Sequence, residues 1–128
     1  MTLFKSPQAY GKTRWLAAQT KKYPKGTVVY YISHSKNAHA TFLTRLQELN
    51  VNPDDYNLVL LNPSDLSCNE WYEEFVNDMD TAVFCLDEVS TLVSQCNARQ
   101  LLLLGAVMSG NCYVTDTSAV GLAIITNS

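Results

Sequence analysis

Ser6-Pro7-Gln8-Ala9-Tyr10-Gly11-Lys12-Thr13 is the stretch on which the reading of this chain turns. It follows the pattern G-x-x-x-x-G-K-[ST], with Ser6 standing where the first glycine would be. The flanks fit. Thr2-Leu3-Phe4-Lys5 is a short strand candidate, and the residues from Thr13 to Thr20 read as a helix. Backbone N–H groups at a helix N-terminus point at an anion, and the helix dipole adds partial positive charge. In that arrangement Ser6, Gln8 and Gly11 wrap a phosphate chain, and Gly11 lets the backbone come close. Lys12 reaches the β- and γ-phosphates, and the Thr13 hydroxyl holds Mg²⁺. Ala9 and Tyr10 are bulky for such a loop. The competing reading is an ordinary strand-to-helix turn with a solvated lysine. As an exposed residue Lys12 would contribute little to the core, so its replacement is expected to spare the fold.

Farther along, Thr81-Ala82-Val83-Phe84-Cys85-Leu86 is an apolar run that ends in Asp87-Glu88. A strand buried in a parallel sheet reads as a continuous apolar run. A carboxylate at its C-terminal end is placed to hold Mg²⁺, which makes Asp87 a metal candidate beside Thr13. Glu88 is the catalytic candidate, able to orient or deprotonate an attacking water. An acidic pair is also favoured at a helix N-terminus by the dipole, and that is the alternative for these two residues. Paired with residues 6–13 in this chain order, the shared phosphate and metal site is preferred.

Between and beyond these segments the chain alternates. Strands are expected at residues 2–5, 27–33, 57–61, 81–86, 112–115 and 122–126. Helices are expected at residues 12–22, 38–49, 68–77 and 90–108, the second from Phe42, Leu43, Leu46 and Leu49 on one face. Such alternation predicts one α/β domain over residues 1–128, with three layers and a mostly parallel sheet flanked by helices. The last strand is a candidate for an antiparallel C-terminal addition. Ligands on such sheets sit beyond the strand C-termini, where residues 6–13, 33–37, 87–88 and 115–118 all fall. The first and fourth strands are expected to be neighbours, with Lys12 and Asp87 pointing into one crevice.

Composition narrows the class. With 47% hydrophobic residues, 128 residues can build one core. No apolar run approaches membrane-spanning length, and residues 1–20 carry no leader pattern. Cys68, Cys85, Cys96 and Cys112 lack metal-ligand spacing and are expected to be reduced thiols of a cytoplasmic protein, with no zinc site. His34 and His39 lack a partnered ligand set. The net charge is −3, yet residues 1–47 hold eight Lys and Arg with no acid, whereas residues 48–128 hold all twelve acids and Arg99 as their one basic residue. That asymmetry points to a basic surface for phosphates or nucleic acid, or to two halves that neutralise each other within one fold.

The assembled pattern resembles the RecA/KaiC-like group of P-loop NTPases, over residues 2–118. Beyond residues 6–13 and 81–88 the likeness rests on Gly26-Thr27-Val28-Val29-Tyr30-Tyr31-Ile32-Ser33, similar to the group's second strand. It rests also on Arg45-Leu46-Gln47-Glu48-Leu49-Asn50-Val51, similar to the end of its next helix. The resemblance implies ATP as ligand, Mg²⁺ as cofactor and NTP hydrolysis coupled to nucleic-acid work. The group often places a catalytic Glu just after the second strand. This chain has His34 there and no acid, a role that Glu88 could assume. The resemblance also gives Thr115, in Thr115-Asp116-Thr117-Ser118, as a sensor of the γ-phosphate, against a polar turn leading through Gly121. Arg99 is a candidate arginine finger in a homo-oligomer, against a solvated helix arginine. Trp15, Trp71 and Tyr72 read as core or interface residues.

Two functions of different class follow. One is a small Mg²⁺-dependent ATP-binding NTPase acting with nucleic acid. The other is a catalytically inactive P-loop-fold module that binds or regulates a protein partner, which the altered loop, His34 and the small size favour. A nucleotide-handling transferase is a third. No membrane partner is expected.

Overall fold

The structure, a computed structural model, describes residues 1–6, 11–67 and 72–117. Gln8 and the expected strand at 122–126 lie outside them. The elements are β1 (Thr2–Lys5), α1 (Lys12–Lys21), β2 (Val28–Ile32), α2 (Lys36–Glu48), β3 (Asn57–Leu61), α3 (Tyr72–Asp78), β4 (Val83–Leu86), α4 (Val89–Ser94), α5 (Ala98–Val107) and β5 (Asn111–Asp116). The five strands form one sheet in the order β1-β5-β4-β2-β3, and every neighbouring pair is parallel.

β2 and β4 lie in the interior of the sheet, which is why their sequences are apolar at every position rather than alternating. Their side chains divide by the period-2 rule. Val29, Tyr31, Val83 and Cys85 join one buried cluster with Leu16 and Ala17 of α1 and Phe42 and Leu46 of α2. Tyr30, Ile32, Phe84 and Leu86 join the other, with Phe75 of α3, Leu92 of α4 and Leu104 of α5. Helices therefore cover both faces. Tyr31 stacks on Phe42 at 4.2 Å between ring centroids, and Tyr30 stacks on Phe84 at 4.9 Å. Each such fully buried side chain contributes about 1.5–3 kcal/mol. Trp15 stacks on Phe4 and meets Tyr113 edge-on, partly buried against the core. Trp71 lies outside the described residues.

Two expectations change. β1 is not beside β4, because β5 runs between them. All strands being parallel, β1 and β4 still deliver their C-terminal ends to one rim, and β5 adds its own residues there. The single helix expected at residues 90–108 is two. α4 ends at Ser94, and Asn97 starts α5 with a reciprocal cap: Asn97 Oδ1 accepts from the Gln100 N–H while Gln100 Oε1 accepts from the Asn97 N–H. Gln100 Nε2 also donates to the Pro63 carbonyl, tying the break to the loop after β3.

The acidic and basic segments take opposite layers in part. α1 and α2 carry Arg14, Lys21, Lys36 and Arg45 on one face of the sheet, and exposed Glu73 lies on the α3 side of the other. Arg14 and Arg45 pair with Glu48, and Lys25 with Asp55, so the N-terminal cations are partly neutralised by the first acids that follow them. No helix among the described residues is long and apolar enough to cross a membrane.

Candidate functional site

The rim at the C-terminal ends of the strands gathers the residues singled out above. Gly11 precedes α1 at φ 86°, a left-handed conformation that a residue with a Cβ enters only at a cost. The turn it makes sets Lys12 and Thr13 at the start of α1. Lys12 is fully buried, with 0% of its side chain exposed. That overturns the expectation of a solvated lysine. Its Nζ lies 2.7 Å from Glu88 Oε1 and donates to Thr117 Oγ1 at 2.8 Å and to the Ser6 carbonyl at 3.1 Å. A buried ammonium requires such partners, since an isolated one costs several kcal/mol.

Asp87 is equally enclosed. Thr13 Oγ1 donates to its Oδ2 at 2.7 Å, Tyr31 OH donates to the same oxygen at 2.5 Å, and Thr115 Oγ1 donates to Oδ1 at 2.5 Å. Burial, and then the Asp87 charge, push the Tyr31 phenol far above its ordinary range, so it remains a donor. The carboxylate is thus held by three hydroxyls from α1, β2 and β5. One of them, Thr115, comes from the strand that separates β1 from β4. Thr115 Oγ1 also accepts from the Glu88 N–H.

Glu88 sits at φ 50°, ψ 62°, a left-handed conformation that costs a non-glycine residue on the order of 1 kcal/mol. The bond from its N–H to Thr115 and the ion pair with Lys12 hold it there. Its other carboxylate oxygen accepts from Thr117 Oγ1 at 3.2 Å. The following helix is fixed by Asp116, whose Oδ2 accepts from Ser90 Oγ and whose Oδ1 accepts from the N–H groups of Ser90 and Thr117.

Lys12, Thr13, Asp87, Glu88 and Thr115 are therefore brought together. Ser6 joins through its carbonyl, and its N–H extends the β1–β5 ladder to Asp116. Gln8 lies outside the described residues. Arg99 is exposed on α5. The sequence reading overlooked Tyr31 and Ser90, and took Asp116 only as part of the polar stretch Thr115-Asp116-Thr117-Ser118. Tyr31 was absorbed into an apolar strand pattern, and only its pairing opposite β4 brings its hydroxyl to Asp87. Ser90 lies in the first turn of α4 and carries no motif of its own.

Beside this cluster a cavity of about 230 Å³ opens, lined by Thr13, Asp87, Glu88, His34, Asn37 and Thr41 among others. It lies between the ends of β2 and β4. α2 leaves β2 toward one face of the sheet and α4 leaves β4 toward the other. Neighbouring strands whose connections diverge in this way leave a crevice at their C-terminal ends.

The donor set suits a hard cation. Mg²⁺ prefers oxygen ligands and usually takes only one or two from the protein, completing its shell with water and substrate phosphates. Thr13 Oγ1 and Asp87 Oδ2 are such a pair, already within hydrogen-bond distance of each other. Among the described residues no group of three or more His, Cys, Asp or Glu could hold a metal ion by itself. No family model, curated protein or solved structure gives a significant match to the chain.

Proposed function

We propose that this chain is a Mg²⁺-dependent ATP-binding domain of the P-loop kind that hydrolyses its nucleotide. The observation that carries this reading is the bond between Thr13 and Asp87, residues 74 apart in sequence, with buried Lys12 alongside. A strand-to-helix turn of no function has no need to enclose a lysine and a carboxylate at the same rim. Thr13 and Asp87 would hold the metal, which supplies charge neutralisation for the phosphates. Lys12, with the N–H groups at the start of α1, would take the β- and γ-phosphates. A nucleotide then competes with Glu88 for Lys12. Coupling to nucleic acid rests on the cations of α1 and α2, as does pairing with a protein or a second copy.

A second reading, a module that binds nucleotide or a partner without turnover, is favoured by the Lys12–Glu88 ion pair, which occupies both the phosphate-binding and the catalytic candidate. One experiment tests both readings. A fluorescent ATP analogue is titrated with and without Mg²⁺, and phosphate release is then followed with and without added DNA or RNA. Mg²⁺-dependent binding with release supports the first reading. Binding without release transfers support to the second. Absence of binding refutes the first reading and leaves the second only in its partner-binding form.

A further inference from the structure

We propose that Tyr31 is a positioning residue for the metal, its hydroxyl holding the Asp87 carboxylate in an orientation that suits Mg²⁺ and disfavours Ca²⁺. This rests on the Mg²⁺-dependent ATP reading above and deepens it.

Tyr31 is 0% exposed and lies on an interior strand of the sheet. Its ring stacks on Phe42 with centroids 4.2 Å apart and planes 11° apart, and the His39 ring meets it edge-on at 5.8 Å. His39 is fixed in turn by a hydrogen bond of 3.1 Å between its Nε2 and the Leu61 carbonyl. Two residues of α2 thus hold the ring, and a phenylalanine would fill the same space. Packing gives no reason for the hydroxyl, because a buried hydroxyl is costly unless it is paired. Its partner is Asp87 Oδ2 at 2.5 Å, just past the end of β4, where the Asp87 N–H donates to the Ile32 carbonyl. A hydrogen bond to a charged acceptor is about twice as strong as a neutral one.

An ionised carboxylate has about four lone-pair sites. Thr13 and Tyr31 donate to Oδ2, and Thr115 donates to Oδ1. The three donors differ in what else they do. Thr13 is itself a metal candidate, and Thr115 also accepts from the Glu88 N–H. Tyr31 has neither task. A cation shared by Thr13 and Asp87 would displace the Thr13 bond and leave that of Tyr31, which then holds Oδ2 through a ring that cannot shift. With hydroxyls on both oxygens, Asp87 turns only by breaking bonds. That suits Mg²⁺, which demands near-ideal octahedral geometry at about 2.0–2.1 Å. Ca²⁺ takes about 6–8 oxygens at about 2.3–2.6 Å, and often grips a carboxylate by both of its oxygens. Such a grip would break the hydroxyl bonds to Asp87.

The test measures affinity for the fluorescent ATP analogue in EDTA, in saturating Mg²⁺ and in saturating Ca²⁺, for wild type, Tyr31→Phe and Tyr30→Phe. The quantity read is the gain in affinity that each metal gives over EDTA. Tyr30→Phe is the control, since the Tyr30 hydroxyl also donates to a carboxylate, Asp78 Oδ2 at 2.7 Å, on the other face of the sheet. In wild type the Mg²⁺ gain should exceed the Ca²⁺ gain. Tyr31→Phe should lose about tenfold or more of the Mg²⁺ gain, with the Ca²⁺ gain and the affinity in EDTA within about twofold of wild type. Tyr30→Phe should keep both gains. Exchanging the Tyr31 hydroxyl for an amino group, in para-aminophenylalanine, restores a donor and should recover most of the Mg²⁺ gain. A Tyr31→Phe protein with the wild-type Mg²⁺ gain overturns the inference. An equal loss in Tyr30→Phe also overturns it, because the loss would then follow from a weakened fold. Equal gains from Mg²⁺ and Ca²⁺ in wild type overturn it without any variant, so it stays falsifiable even if Tyr31→Phe does not fold. A wild type that binds the analogue with no gain from Mg²⁺ removes the metal reading beneath it, and one that binds no analogue removes the nucleotide reading as well.

Discussion

Replacing Lys12 should unfold more of this protein than a surface lysine would. Lys12 is 0% exposed and pairs at 2.7 Å with Glu88, whose side chain is 21% exposed. Removing one partner of a fully buried pair costs about 3–5 kcal/mol, chiefly from the charge left behind. Because Glu88 keeps some contact with water, Lys12→Met is expected to cost about 2–3 kcal/mol, since Met retains most of the apolar stem. Lys12→Ala also removes buried methylenes, each worth roughly 0.8 kcal/mol, and should cost about 2 kcal/mol more. Urea unfolding followed by circular dichroism is the assay. With an m-value of about 2 kcal/mol/M, the Met variant shifts the midpoint down by roughly 1–1.5 M. In a double-mutant cycle with Glu88→Gln, the second change should recover part of the loss, with a coupling of about 1–3 kcal/mol. A Lys12→Met protein with a wild-type midpoint, or a cycle with no coupling, would show that the lysine is solvated in solution and refute the closed arrangement.

Thr115→Val keeps the shape of the side chain but strips a bond from Asp87 and leaves the Glu88 N–H without its acceptor, so it should lower stability by about 2 kcal/mol by the same melt. An unchanged midpoint would count against that bridge. Asp87→Asn turns an acceptor of three hydroxyl bonds into a group with one donor end. It should cost about 2–3 kcal/mol and abolish the Mg²⁺-dependent part of nucleotide affinity. Equal affinity with and without Mg²⁺ in both proteins would exclude the metal role. Asn97→Ala removes the cap of α5 and should cost about 1 kcal/mol, with the affinity for the ATP analogue unaltered. Burial, and then the bond with Tyr113, push the Tyr23 phenol up to about 12, and burial pushes the Cys112 thiol up to about 12. Both folded values exceed the ordinary ones, so this stabilisation is complete below about pH 9 and is lost as the pH rises toward 12. The urea midpoint should therefore fall between pH 8 and pH 10.5, and a midpoint that rises over that interval would contradict the burial of these groups.

What the sequence determined by itself was local. The run at residues 27–33 announced a strand, and the apolar run at residues 81–86 a strand buried on both faces; both are interior strands of the sheet. Spacing of Phe42 and Leu46 placed a helix face that does enter the core. Gly11-Lys12-Thr13 and Asp87-Glu88 could be picked out because a tight turn and a strand end each demand particular residue types within a few positions. Tertiary structure decided the rest. Strand order depends on which crossover packs best across the whole sheet, so no short stretch could reveal that β5 separates β1 from β4. Burial of Lys12 and the left-handed turn at Glu88 come from contacts with Ser6, Thr115 and Thr117, contributed by distant segments. The hydroxyl of Tyr31 reaches Asp87 only because β2 lies beside β4. Periodicity and motif report what one segment of chain prefers, whereas a side chain's burial and partners are set by whatever the fold packs against it.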